Sequence, residues 1–281
     1  MIHICYAVID EDASYYLQLG ASMLSIVEQA SIPVTFHLLT DGCLPQNSIA
    51  HLKCIESAFR AHILFYPVDI DALRSMVVPL VDRQCIEKHS VATLFRLFID
   101  NVLPQNIDRV LYLDVDTIAY IDIHAVLKDM PESVTCAGVP DLNIVRKNTQ
   151  WQRWVQGLTG IDDMKNYINA GVLWLNLSRL RHQYHFLEDV LRFFREHPKS
   201  FFGDQDAINA IFGARKDLAI LPEAYNQYVV DLKKLSQTSQ VLRNGIYHWA
   251  AIRTRQKHDS PGENVYDDLY WIYEQKFQRM K

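Results

Sequence analysis

An α/β fold with a Rossmann-like, mostly parallel sheet is the architecture this 281-residue chain encodes. Apolar strand segments and amphipathic helical segments alternate through its first third, a pattern that pairs strands in parallel through right-handed crossovers. A later apolar strand, Val110-Leu-Tyr-Leu, runs into Asp114 and Asp116, at the end where open α/β sheets hold their ligands. With 49% hydrophobic residues the chain can build a core without disulfides or structural metals.

The elements follow in order. Ile2–Ile9 is apolar almost throughout, as a strand buried on both faces requires. Ala13–Glu28 has helical periodicity through Tyr16, Leu17, Gly20, Leu24 and Val27. Val34–Thr40 is a second strand, Asn47–Phe59 an amphipathic helix and Ile63–Val68 a third strand. A helix over Val91–Asn101 precedes the strand that carries the acidic pair. Beyond Asp116 the pattern loosens. Cys136–Val139 is a short strand leading to Asp141, and Ile168–Leu175 is a strand with Asn169, Ala170 and Gly171 near its start. Leu187–Glu196 is a helix, and Ala207–Phe212 lies on another that opens at Asp204-Gln-Asp. Residues 227–244 are polar and irregular, which predicts a loop or lid. Gly245–Trp249 is a last short strand. Tyr266, Leu269, Tyr270, Ile272, Tyr273 and Phe277 are spaced for one apolar face of a final helix.

Composition narrows the function. A net charge of −5 without a long basic run argues against nucleic acid as a partner. Five scattered cysteines (Cys5, Cys43, Cys54, Cys85, Cys136) with no C-x-x-C pair suit a reducing compartment and carry no zinc signature. Met1 runs straight into a strand rather than a signal peptide, and no apolar run reaches the roughly 20 residues of a membrane span. A cytoplasmic protein is expected.

The Asp-x-Asp pair is the chemical centre. Carboxylates at i and i+2 that converge after a turn repel one another unless a cation sits between them, and a hard divalent ion is the natural occupant. Further along the chain stand Asp10-Glu-Asp12 after the first strand, Arg96 within a helix, Asn169-Ala-Gly-Val, Asp204-Gln-Asp206, and His248 after Gly245-Ile-Tyr. In this order, over roughly Ile4 to Trp249, these pieces resemble the retaining glycosyltransferases of family 8. That family includes bacterial lipopolysaccharide galactosyl- and glucosyltransferases and, more distantly, glycogenin.

The resemblance implies a GT-A fold over 1–249, with a nucleotide-binding half (1–117) and a smaller sugar- and acceptor-binding half (118–249), followed by a C-terminal segment (250–281) with an amphipathic helix. It implies transfer of a hexose, galactose or glucose, from a UDP-sugar to a glycan acceptor. The metal ligands would be Asp114, Asp116 and His248. Mn²⁺ is the expected ion and Mg²⁺ the second candidate, since an imidazole beside two carboxylates suits Mn²⁺ better. Donor contacts are expected from Asp10, Asp12, Arg96, Asp114, Val115, Asp116, Asp141, Asn169, Ala170 and Gln205. A carboxylate at Asp10 can accept from the uracil N3–H; the alternative, a helix N-cap, fits Asp12 better than Asp10. Arg96, set among Val91, Leu94, Phe95, Leu97 and Phe98, needs an anionic partner.

Retention admits double displacement through a protein nucleophile, as in glycosidases, or same-face attack assisted by the leaving phosphate. The family position beneath the anomeric carbon is matched by Gln205. An amide is a poor nucleophile and Asp204 is a nearby carboxylate, so same-face attack is favoured, with Arg96 and the metal stabilising the leaving group. The chain departs from the family after His248, where Ala251 takes a glycine's place and Arg253, Thr254 or Arg255 that of a lysine. Arg253 and Arg255 are the named candidates for holding the diphosphate. Contact with the inner face of a membrane, through the acceptor or the final helix, is left open, as is the oligomeric state. The alternatives are a non-catalytic nucleotide-sugar-binding or scaffold protein on the same fold, and a metal-dependent phosphohydrolase. The haloacid-dehalogenase-like phosphatases place their acidic pair after the first strand, whereas here it follows a fourth.

Overall fold

The computed structural model describes residues 1–10, 15–81, 91–128, 130–235, 241–250 and 264–280. In chain order the strands are β1 (Ile2–Val8), β2 (Val34–Thr40), β3 (Ala61–Pro67), β4 (Arg109–Leu113), β5 (Thr117–Tyr120), β6 (Cys136–Pro140), β7 (Ile168–Asn176), β8 (Leu218–Ile220), β9 (Gln227–Tyr228) and β10 (Gly245–His248). The main sheet has the order β3-β2-β1-β4-β7-β6-β8, and a small sheet has the order β5-β10-β9. From β3 to β4 every pairing is parallel. β7 alone runs antiparallel to both of its neighbours, β4 and β6.

Strand alternation divides the interior. Ile2, Ile4, Tyr6 and Val8 of β1 join the core beneath helices Tyr15–Gln29 and Val265–Gln278. Cys5 and Ala7 face the opposite core, beneath Val91–Phe98, Phe186–Glu196 and Asp204–Ala214. The last helix lies on the first. Tyr266, Leu269, Tyr270, Tyr273 and Phe277 are buried there, and a Cβ on Gly20 would come within 2.1 Å of the Phe277 ring. Five of the six residues expected on the apolar face considered for membrane contact are therefore spent inside the protein, while Ile272, expected among them, is exposed. No helix among the described residues is long and apolar enough to cross a membrane.

Two elements differ from expectation. The 91–101 segment is a 3₁₀ helix, Val91–Phe98, followed by a single α turn, Ile99–Val102. β-branched Val91 and Thr93 favour the α form weakly, and the Arg96 Nε takes the Thr93 carbonyl at 3.0 Å. The polar 227–244 stretch contains β9 and a helix, Val229–Leu235; β9 exists because β10 offers it a parallel edge.

A buried relay on the second face predicts acid sensitivity. His37 is enclosed between His3 (3.0 Å) and the Tyr66 hydroxyl (3.0 Å). Burial, then the neighbouring His3, lowers its pKa to about 4. The unfolded chain binds a proton near pH 6.5 and the folded one only near 4, so this contribution is present above 6.5 and lost as pH falls to about 4. Its size is on the order of 3 kcal/mol. Urea unfolding of wild type and His37→Gln at pH 7.5 and 4.5 checks this: wild type is expected to lose more stability, and parallel losses would sink the idea.

Candidate active site

Topology, not sequence proximity, assembles this site. β1, β4 and β6 point the same way, so Asp10, Asp114 and Asp141, which follow them, arrive at one edge of the sheet. Asn169 and Ala170 begin β7, and because β7 is antiparallel its start lies at that same edge; Leu113 stands opposite Val172. The Asp114 amide donates to the Gly171 carbonyl (2.8 Å), and the Thr117 hydroxyl closes the acidic turn on the Asp114 carbonyl (2.8 Å). β10 pairs antiparallel with β5, placing His248 opposite Thr117, and the Trp249 amide holds the Asp116 carbonyl at 3.0 Å. A residue more than 130 positions away in sequence thereby meets the Asp-x-Asp turn.

Ligand atoms of Asp114, Asp116 and His248 lie within 4.8 Å of one another. His248 Nε2 stands 3.2 Å from Asp116 Oδ1 and 3.9 Å from Asp114 Oδ2. Burial disfavours charge on this imidazole, but Asp116 and then Asp114 outweigh it and raise its pKa above the ordinary value. The set attracts a positive charge, and two carboxylates with one imidazole could hold a divalent metal ion. Gly171 leaves the space: a Cβ there would sit 2.3 Å from His248 Cε1 and 2.8 Å from Asp114 Oδ2. Gly171→Ala is accordingly expected to weaken divalent-metal binding at least about 10-fold. Titration calorimetry beside a melting curve checks it, and unchanged affinity would refute the cradle.

Arg96 is buried against this turn. Its Nη2 meets Asp114 Oδ1 at 2.9 Å, its Nε meets Asp204 Oδ2 at 3.0 Å, Nη1 donates to the Ala170 carbonyl, and its Cζ lies 4.5 Å over the Tyr112 ring. Burial opposes its charge, but Asp114, Tyr112, Asp204 and Asp116 outweigh that and raise its pKa. It stays a permanent cation in a cluster of carboxylates.

Gln205 heads helix Asp204–Ala214. Its Oε1 accepts from Asn169 Nδ2 and the Ala170 amide, both at 3.0 Å, and its Nε2 donates to Asp141 Oδ2 at 2.8 Å. Asp141 also caps Leu142–Val145 by accepting from the Asn143 amide. Asp206 faces inward and is a structural anchor, accepting from the Tyr167 and Ser200 hydroxyls and the Phe202 amide.

Asp114, Asp116, His248, Arg96, Asp204, Gln205, Asp141, Asn169 and Ala170 thus come together. Val115 sits between the two aspartates and packs on the first core. Asp10 accepts from the Tyr15 and Tyr16 amides at 2.8 and 3.2 Å, so it caps the first helix, a role the spacing assigned to Asp12. Asp12, Arg253 and Arg255 lie outside the described residues. Sequence reasoning missed Tyr112, whose hydroxyl donates to Asp114 Oδ1 at 2.9 Å, and Asn226, bonded to His248 Nδ1. It also missed Tyr228, which packs edge-on to His248 at 5.8 Å. Burial, then the charge of Asp141, raises the Tyr228 pKa well above normal. Asn226 stands one residue before a polar stretch and gave no periodic signal. Tyr112 was hidden in an apolar strand whose alternation turns it toward Arg96.

Solved structures share this architecture. The galactosyltransferase LgtC, determined with donor and acceptor sugar analogs, matches with a TM-score of 0.78 at 18% identity, covering 98% of this chain and 96% of that one. The bifunctional glycosyltransferase WbbM matches at 0.74 and 16% identity, over 100% of this chain and 51% of that one. The glycosyltransferase GlyE of Streptococcus pneumoniae matches at 0.67 and 17%, over 97% and 60%. At these identities the likeness establishes the GT-A fold. No curated protein sequence matches the chain. The family model for glycosyl transferase family 8 matches residues 6–251, most of the chain and every described site residue named above, and the chain belongs to that family of glycosyltransferases.

Proposed function

We propose that the protein transfers a hexose from a UDP-sugar to a glycan acceptor with retention of anomeric configuration, using Mn²⁺. The observation that carries this reading is the convergence of Asp114, Asp116 and His248 beside the Arg96–Asp204–Gln205 cluster. When bound, the ion would supply Lewis-acid stabilisation of a diphosphate leaving group.

The protein's own groups do the remainder. Asp10, at the carboxyl end of β1, would read a uracil edge with the lone pairs that its bonds to the Tyr15 and Tyr16 amides leave, and residues 1–117 would hold the nucleotide while 118–249 hold sugar and acceptor. Arg96 supplies fixed positive charge where the leaving group develops negative charge. Asp141, Asn169 and Gln205 present acceptors and donors for sugar hydroxyls, the polar fixation that distinguishing hexoses demands. Gln205 Oε1 already accepts two hydrogen bonds and Asp204 is ion-paired to Arg96. Neither is a ready nucleophile, which favours same-face attack: the acceptor oxygen bonds to the anomeric carbon on the side the phosphate leaves, and its proton passes to a phosphate oxygen. Bacterial lipopolysaccharide or other surface-glycan synthesis is the setting the resemblance suggests.

Calorimetric titration with UDP, UDP-glucose and UDP-galactose, in Mn²⁺ and in EDTA, tests the proposal. Metal-dependent binding is expected, with the tighter sugar naming the donor. No binding of any uridine nucleotide in Mn²⁺ would overturn it.

A further inference from the structure

The polar network behind the acidic turn has only one consistent direction. Gly171 and Ala170 each bring a backbone N–H, which can only donate. The Gly171 amide donates to Asn169 Oδ1 at 2.9 Å, and the Ala170 amide donates to Gln205 Oε1 at 3.0 Å. Asn169 Oδ1 is therefore an acceptor, and the second group on it, Asn226 Nδ2 at 2.9 Å, is its donor. This leaves Asn226 Oδ1 to face His248 Nδ1 at 2.9 Å as an acceptor, so Nδ1 carries the hydrogen. Nε2 is the ring nitrogen left to face the Asp114–Asp116 turn. From Asn169 the same polarity runs on: Nδ2 donates to Gln205 Oε1, and Gln205 Nε2 donates to Asp141. Asn226 is 3% exposed, and its amide oxygen and nitrogen bridge the two halves of the site.

We infer that Asn226 is a positioning residue with two separable tasks. Its carbonyl oxygen sets the His248 tautomer for metal ligation, and its amide nitrogen holds Asn169 and, through it, Gln205 in register with the donor sugar. The inference rests on the metal-dependent transferase reading above.

Two near-isosteric variants separate the tasks. Asn226→Leu removes both bonds. Asn226→Asp keeps an oxygen for His248 Nδ1–H but sets a carboxylate oxygen against Asn169 Oδ1, breaking only the second link. Each full-length variant is titrated with Mn²⁺ alone by calorimetry and assayed for kcat and KM, with a melting curve as control. Asn226→Leu is expected to weaken Mn²⁺ binding about 10- to 100-fold, the usual cost of losing the partner that orients a ligating histidine. Asn226→Asp is expected to hold Mn²⁺ within about 3-fold of wild type while kcat still falls at least about 10-fold. A general structural role would move both measurements together, so loss of Mn²⁺ affinity in Asn226→Asp overturns the inference. So does an unchanged kcat. If Asn226→Leu does not fold, the aspartate variant alone decides between these outcomes. If wild type itself binds no divalent ion, the transferase reading falls and takes this inference with it; if wild type binds and neither variant differs, only the inference falls.

Discussion

Asp116→Ala is expected to lower sugar transfer by about 10³-fold or more while leaving the protein folded. The Asp116 carboxylate is the one nearest His248 Nε2 and is about a quarter exposed; deleting it leaves the buried imidazole facing Asp114 alone, at 3.9 Å. The hydrogen bond that ties the turn to β10 uses the Asp116 carbonyl and the Trp249 amide, which the substitution keeps. The loss should appear as weaker Mn²⁺ binding and as weaker donor binding in Mn²⁺, with no difference from wild type in EDTA. Turnover within tenfold of wild type at saturating Mn²⁺ would remove Asp116 from the metal site.

Arg96→Met is expected to have the largest effect on stability. The arginine is nearly fully buried and neutralises Asp114 and Asp204 while covering the Ala170 carbonyl. Removing one member of a buried ion cluster costs about 3–5 kcal/mol, because the remaining charges are left uncompensated. For a chain of this size the melting temperature should drop by roughly 10 °C or more. A distinguishing feature is the response to metal: Mn²⁺ supplies positive charge beside Asp114 and should raise the variant's melting temperature more than wild type's. Arg96→Lys keeps the charge but loses the planar fork that spans Asp114, Asp204 and Ala170, so an intermediate loss is expected. A melting temperature within 2–3 °C of wild type would mean the cluster contributes little.

Much of this molecule was legible in the chain because its signals are local. Long apolar runs at Ile2–Val8 and Val34–Thr40 mark strands buried on both faces. The abrupt change from Val110-Leu-Tyr-Leu to Asp114-Val-Asp116 marks a strand end carrying charge. The 91–98 segment was harder. Its apolar spacing reads as an α-helix, yet Arg96 draws on the Thr93 carbonyl and the backbone tightens to 3₁₀. Spacing ranked Asp12 above Asp10 as the helix cap, yet Asp10 takes the Tyr15 and Tyr16 amides; either lies within reach of a helix start, so spacing is a weak guide there.

What a sequence of this kind settles unaided is the class of element, the strand ends that carry carboxylates, and the family to which their order points. Those depend on neighbours within a few residues. Pairing direction and register belong to the tertiary structure. Only the antiparallel course of β7 carries Asn169 and Ala170 to the edge that Asp114 occupies, and only the β5–β10 pairing carries His248 to Asp116. The polarity of the Asn226–Asn169–Gln205 network is likewise a property of contact, since an amide can donate or accept until a backbone N–H fixes its direction. Residues that are ordinary by composition thus become a site when distant strands place their few polar atoms within 3 Å of one another.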